Sequence, residues 1–130
     1  MANPNIVAVA TIKGGNFGWN LTAGLTDTLM TVSGSDVIVK VNRITCANVD
    51  GSAAADLDLF VDSLGTGAAD GVTPTASDAT VYLAKTISIP ADASLVVLDT
   101  PIYLKEGDIL KGGASALGDL DLFISFDVIS

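Results

Sequence analysis

Histidine is absent from this chain of 130 residues, cysteine occurs once, and phenylalanine, tyrosine and tryptophan together make up 5%. Without histidine there is no Ser-His-Asp or Cys-His relay, and nothing to activate Cys46 as a nucleophile. A lone cysteine forms no internal disulfide, and its neighbours Ile44 and Ala47 mark it as a small buried residue in a strand. Positive charge is scarce and scattered over Lys13, Lys40, Arg43, Lys85, Lys105 and Lys111, against 15 acidic residues, for a net charge of −9. That is the wrong sign for a nucleic-acid backbone. Long apolar runs are also missing: Asp99 and Pro101 interrupt the best one, Ser94 to Leu104, well short of the ~20 residues of a membrane span. The N-terminus has no basic region ahead of an apolar one, so no secretion signal is expected.

What the chain does have is apolar content. The hydrophobic fraction is 49%, only 16% of residues are charged and the mean hydropathy is +0.55, whereas an ordinary soluble domain carries roughly 25% charge. One domain of this length keeps a high surface-to-volume ratio, so some apolar surface remains after the core is filled. Other protein subunits are the expected cover.

The clearest pattern is a repeated pentapeptide, Asp56-Leu57-Asp58-Leu59-Phe60 and Asp119-Leu120-Asp121-Leu122-Phe123. Leucines two apart with aspartates between them give a strand with one apolar face and one charged face. Convergence of two core strands accounts for the repeat better than duplication. On this reading Leu59 and Leu122 face the core. Phe60 and Phe123 then share the outer faces with aspartates, either as subunit contacts or beneath a second packed layer.

Strand signals recur at Thr28 to Ser33, Val37 to Val49, Asp56 to Asp62, Thr80 to Ile89, Ser94 to Leu98, Ile102 to Leu104, Ile109 to Ser115 and Asp119 to Val128. The run from Val37 changes phase, and a bulge near Asn42 and Arg43 reconciles Val37, Val39 and Val41 with Ile44 and Cys46. Asp50-Gly51-Ser52, Pro90 to Ala93 and Glu106-Gly107-Asp108 read as turns. Roughly eight short strands at this spacing predict an all-β fold: a single antiparallel β-sandwich or jelly-roll-like domain over 25–130, with a flexible loop at 63–79. Residues 1–24 read as an extended N-terminal arm with a short strand around Ile6 to Ile12, because glycines punctuate it and Lys13 is its only charge.

Fourteen of the 15 acids are aspartates, which raises calcium and glycoside hydrolysis. Calcium takes roughly six to eight oxygens from a folded loop, whereas carboxylates two apart on a strand are spread over ~7 Å, and no Asp-x-Asp-x-Asp-Gly loop occurs. A hydrolytic carboxylate pair usually sits in a cleft with aromatic platforms, and here the only tryptophan, Trp19, lies in the glycine-rich arm. A solvated face that discourages edge pairing is the expected role. No enzyme, metal or cofactor is expected.

Several stretches resemble small structural proteins of tailed bacteriophages, especially marine and cyanobacterial phages. They are Met1 to Val7, Ala47 to Asp56, Ile89 to Asp99 and Ile102 to Asp108, about a third of the chain; Asp119 to Ser130 departs from the family's ending. The resemblance implies a non-enzymatic virion component of β-sandwich type. The expected role is a capsid decoration or cement protein on the outer surface of the capsid, made in the host cytoplasm. Its partners would be the major capsid protein or other virion subunits, and further copies of itself, with a trimer among the candidate states; neither nucleic acid nor a membrane is an expected partner. A tail, neck or fibre component is the alternative within the virion, and a carbohydrate-binding jelly roll the alternative outside it. Ile6, Val7, Val9, Ile12, Phe17 and Trp19 of the arm, with Phe60 and Phe123, are the candidate interface residues.

Overall fold

The computed structural model describes residues 10–24, 27–62 and 80–130. Its strands are β1 (Ile12–Asn20), β2 (Asp27–Thr31), β3 (Ile38–Asn48), β4 (Ala55–Asp62), β5 (Thr80–Ile89), β6 (Ser94–Leu98), β7 (Ile102–Lys105), β8 (Ile109–Ala114) and β9 (Leu120–Ile129). They form a five-stranded sheet in the order β1-β9-β3-β6, with β7 also on β3, and a four-stranded sheet in the order β2-β8-β4-β5. Within both sheets every strand pair is antiparallel.

β6 and β7 pair with successive halves of β3, Ile44–Ala47 and Ile38–Val41. They act as one strand interrupted at Asp99–Pro101, where proline has no N–H to give a ladder. Counted as one, they leave eight strands, and every connection except β4 to β5 passes from one sheet to the other. This is the doubly Greek-key arrangement of a jelly roll, the fold expected from the strand spacing.

The core is the inner face of each strand read at period two. Leu57 and Leu59 of β4, Leu110 of β8, Leu120, Leu122 and Ile124 of β9, and Val41, Ile44 and Cys46 of β3 are all buried in one cluster. The phase change in β3 is a bulge: its register with β9 shifts between Val41 and Arg43. One extra residue, Asn42, lets Val39 and Val41 on one side of it and Ile44 and Cys46 on the other all point inward. Within the four-stranded sheet β8 and β4 approach closely, where a Cβ on Gly112 would lie 2.9 Å from the Asp58 carbonyl oxygen; only glycine fits there.

Two turns are built by their own side chains. Asp50 accepts the Ser52 backbone N–H, 2.9 Å, an Asx turn that lets the chain reverse after β3. Buried Asn48 donates to the carbonyls of Ala53 at 3.0 Å and Ile89 at 2.9 Å and accepts from Asp50 N–H, so one side chain ties the β3–β4 turn to the end of β5.

The N-terminal region departs from expectation. Its described part is not a detached arm: Ile12–Asn20 forms a nine-residue strand paired along its whole length with β9. The strand expected around Ile6 to Ile12 lies mostly outside the described residues. Gly15 lies beneath the Phe126 ring, where a Cβ would come within 2.8 Å of the Cζ atom. An aromatic neighbour on the next strand fills the place of the missing side chain. Ile6, Val7, Val9 and the loop expected at 63–79 lie outside the described residues.

Candidate functional site

The outer face of the five-stranded sheet is hollowed along β9. Register fixes which side chains stand there: Asp121, Phe123, Ser125 and Asp127 of β9, flanked by Asn20, Gly18, Asn16 and Gly14 of β1 and by Ala47, Thr45, Arg43 and Lys40 of β3. One depression, about 560 Å³, lies between Gly18, Asn20, Phe123, Arg43, Thr45 and Ser94. A second, about 270 Å³, shares Arg43, Thr45 and Phe123 with it and adds Ser125. A third, about 260 Å³, continues from Ser125 to Asn16 and Asp127. The three form one trough running from Asp121 to Asp127.

Small residues make the trough. β1 presents Gly14, Asn16, Gly18 and Asn20 on this face, and β3 presents Ala47 and Thr45. Phe123 therefore has only a glycine on one side and a threonine on the other, and it is 51% exposed. A Cβ on Gly18 would sit 3.8 Å from the Phe123 ring, so the ring's flank is open because residue 18 has no side chain.

The polar groups along the trough are held in place. Asn20 donates through Nδ2 to Asp121 Oδ1 at 2.7 Å and to the Gly118 carbonyl at 3.0 Å. Asn42 donates to Asp127 Oδ2 at 3.1 Å, and the Ser125 hydroxyl donates to Asn16 Oδ1 at 2.5 Å. Arg43 is exposed and makes no ion pair among the described residues. Its guanidinium keeps five N–H donors at the centre of the trough.

The interface candidates separate. Trp19 and Phe123 are both exposed, Phe123 in the trough and Trp19 on the face of β1 that carries Phe17, and Ile12 is exposed at the start of β1. Phe60 is a correction: it is 6% exposed, packed at 5.2 Å between ring centroids against Tyr82 on the neighbouring strand. Its outward direction was read correctly from the alternation, but β5 lays a tyrosine over it, which no local pattern reveals. Phe17 is corrected too. It turns inward and meets Phe126 edge-on, centroids 6.0 Å apart.

Asp58 and Asp62 are engaged structurally. Asp58 Oδ1 accepts the Thr86 backbone N–H at 2.9 Å, at a bulge where Thr86 takes a φ of 52°. Asp62 pairs with Lys111 at 2.6 Å and accepts from Thr80; the Lys111 and Thr80 hydrogen bonds hold its carboxyl below the usual range. No three acidic, cysteine or histidine groups converge among the described residues. Burial, with a smaller push from the Asp121 charge, raises the Cys46 thiol to about 12, so at neutral pH it is an inert core side chain.

The trough itself was missed from the sequence. Its signal is the alternation of Gly14, Asn16, Gly18 and Asn20, which is legible only once β1 is recognised as a strand. The chain matches no family model, no curated protein and no solved structure.

Proposed function

We propose that this protein is a non-enzymatic structural subunit of a tailed-phage virion, a decoration protein that binds between major capsid subunits and stabilises the shell. The observation that supports this reading is the edge strand β5. Val81, Leu83 and Ile87 are exposed on it to 53%, 38% and 39%, and among the described residues β5 pairs only with β4. A ten-residue edge with unpaired main-chain groups and apolar side chains invites another chain to add to it. An assembly subunit uses such an edge; an isolated acidic protein has no use for it. The resemblance in Met1 to Val7, Ala47 to Asp56, Ile89 to Asp99 and Ile102 to Asp108 supplies the kind of assembly.

The test is its copy number in purified particles by quantitative mass spectrometry. A decoration protein scales with the count of major capsid subunits. A count that follows the tail proteins overturns the capsid position, and absence from the particle overturns the virion reading.

A further inference from the structure

We propose that the trough along β9 is a binding site for a neutral oligosaccharide, with Phe123 as the stacking platform and Arg43, Asp121 and Asn20 as the hydroxyl-reading groups. The site is separate from the β5 edge and does not depend on the virion reading.

The floor of the trough limits what can occupy it. Main-chain donors and acceptors of β9 and β3, the strands that floor the trough, are consumed by ladders on both sides, so a peptide lying over that floor finds nothing to pair with; the free edge of β1 is at the side of the sheet. Any ligand must be read by side chains. Those side chains are one open aromatic ring, the Arg43 guanidinium with no ion pair among the described residues, the Lys40 ammonium, two carboxylates, the hydroxyls of Thr45 and Ser125 and the amides of Asn16 and Asn20, spread over three adjacent strands. An apolar ligand would cover the Arg43 guanidinium without giving it a partner, at a cost. A polyanion would meet Asp121 and Asp127 beside the two cations Arg43 and Lys40, a face with no net positive charge to hold it. A chain of neutral sugar rings suits the combination. Each ring offers a face of C–H groups to the electron-rich face of Phe123, and a rim of hydroxyls that both donate to carboxylate and accept from guanidinium.

Length and order also agree. Six residue steps of β9, from Asp121 to Asp127, span about 20 Å, enough for several rings in a row. The polar side chains are already fixed by the bonds of Asn20 to Asp121 and of Ser125 to Asn16, so little ordering remains to be done on binding. The volume of the central depression, about 560 Å³, lies within the usual range for a small-ligand site.

Trp19, the chain's only tryptophan, shares the face of β1 that carries inward Phe17 and stands opposite buried Leu122, so occupancy of the trough is read from amide resonances. The full chain is titrated to millimolar concentration with soluble oligosaccharides of β-1,4-glucan, α-1,4-glucan, β-1,3-glucan and chitin, and amide resonances are followed. The expected result is that at least one series shifts the Phe123 to Ser125 amides and those of Gly18 and Asn20 while leaving β5 unmoved. Phe123→Ala and Gly18→Val, both with unchanged melting, each weaken that binding by about tenfold or more. Tyr103→Ala, an exposed aromatic outside the trough, leaves it unchanged. No response to any of the four series overturns the proposal. So does binding that survives both trough variants, and so does a Phe123→Ala protein that loses self-association instead, because a second copy would then be the occupant.

Discussion

Single side chains decide what each copy of the pentapeptide does. Leu59 and Leu122 are 0% and 1% exposed, one in each sheet, and each fills core volume that nothing else can reach. Truncating either to alanine is expected to cost about 2–5 kcal/mol, with the variant nearer the sheet centre at the upper end. Urea unfolding measures it, and a midpoint unchanged for both would place the inner face elsewhere. Asp62 supplies a pH-dependent contribution. Its folded carboxyl titrates below the ordinary aspartate value because Lys111 and Thr80 hydrogen-bond to the charged form. A lowered folded value means stabilisation that is present above the unfolded value and lost as pH falls through the folded one. Lys111→Met is therefore expected to be less stable than the parent at pH 7, with the gap closing toward pH 3. Because the pair is partly exposed, the gap at pH 7 is small, in the range of surface ion pairs. A gap that widens in acid would show that another group controls it.

At the scale of elements, strand positions were legible because they follow alternation and turn chemistry, which are local. The turn at Pro90 to Ala93, closed by the Ala93 N–H on the Pro90 carbonyl at 3.1 Å, and the β3 bulge at Asn42 were both readable in a few residues. β1 was not, because its evidence is on another strand: the Phe126 ring over Gly15 and the Phe123 ring beside Gly18. Glycine in isolation signals a break; beside an aromatic it belongs to a sheet. The consequence is testable by truncation. Removing residues 1–9 leaves the β1–β9 ladder whole, and melting is expected to stay within a few degrees of the parent. Removing 1–20 strips all nine paired positions of β1 from β9, exposes the flank of Phe126 and Ile124, and is expected to abolish the cooperative transition. An equally cooperative melt for the longer deletion would return β1 to the role of a detachable arm. If the decoration proposal is right, the shorter deletion is the informative one, because it tests particle incorporation without disturbing the fold.

For the whole molecule, the two phenylalanines of the repeat separate folding from association. The sequence makes them equivalent, each following Leu-Asp-Leu on an outward face. The structure gives them different neighbours: Tyr82 covers Phe60, with Lys85 Nζ 4.2 Å from the centroid of that tyrosine ring, while Gly18 and Thr45 leave Phe123 open. Burial on an outer face comes from a strand about twenty residues away in sequence, so no reading of five letters can assign it. Phe60→Ser is expected to destabilise by about 2–4 kcal/mol, since it removes a covered aromatic and puts a hydroxyl under Tyr82. Phe123→Ser is expected to change stability by less than about 0.5 kcal/mol, as exposed positions usually do. Association then tells which surface the protein works with. In sedimentation and particle-binding assays, exposed Val81, Leu83 and Ile87 of β5 are expected to govern assembly, so Leu83→Lys, a charge on an edge strand, weakens it while Phe123→Ser does not. The reverse pattern, assembly lost with Phe123 and kept with Leu83→Lys, would move the subunit interface from the sheet edge onto the trough and take the oligosaccharide site away with it.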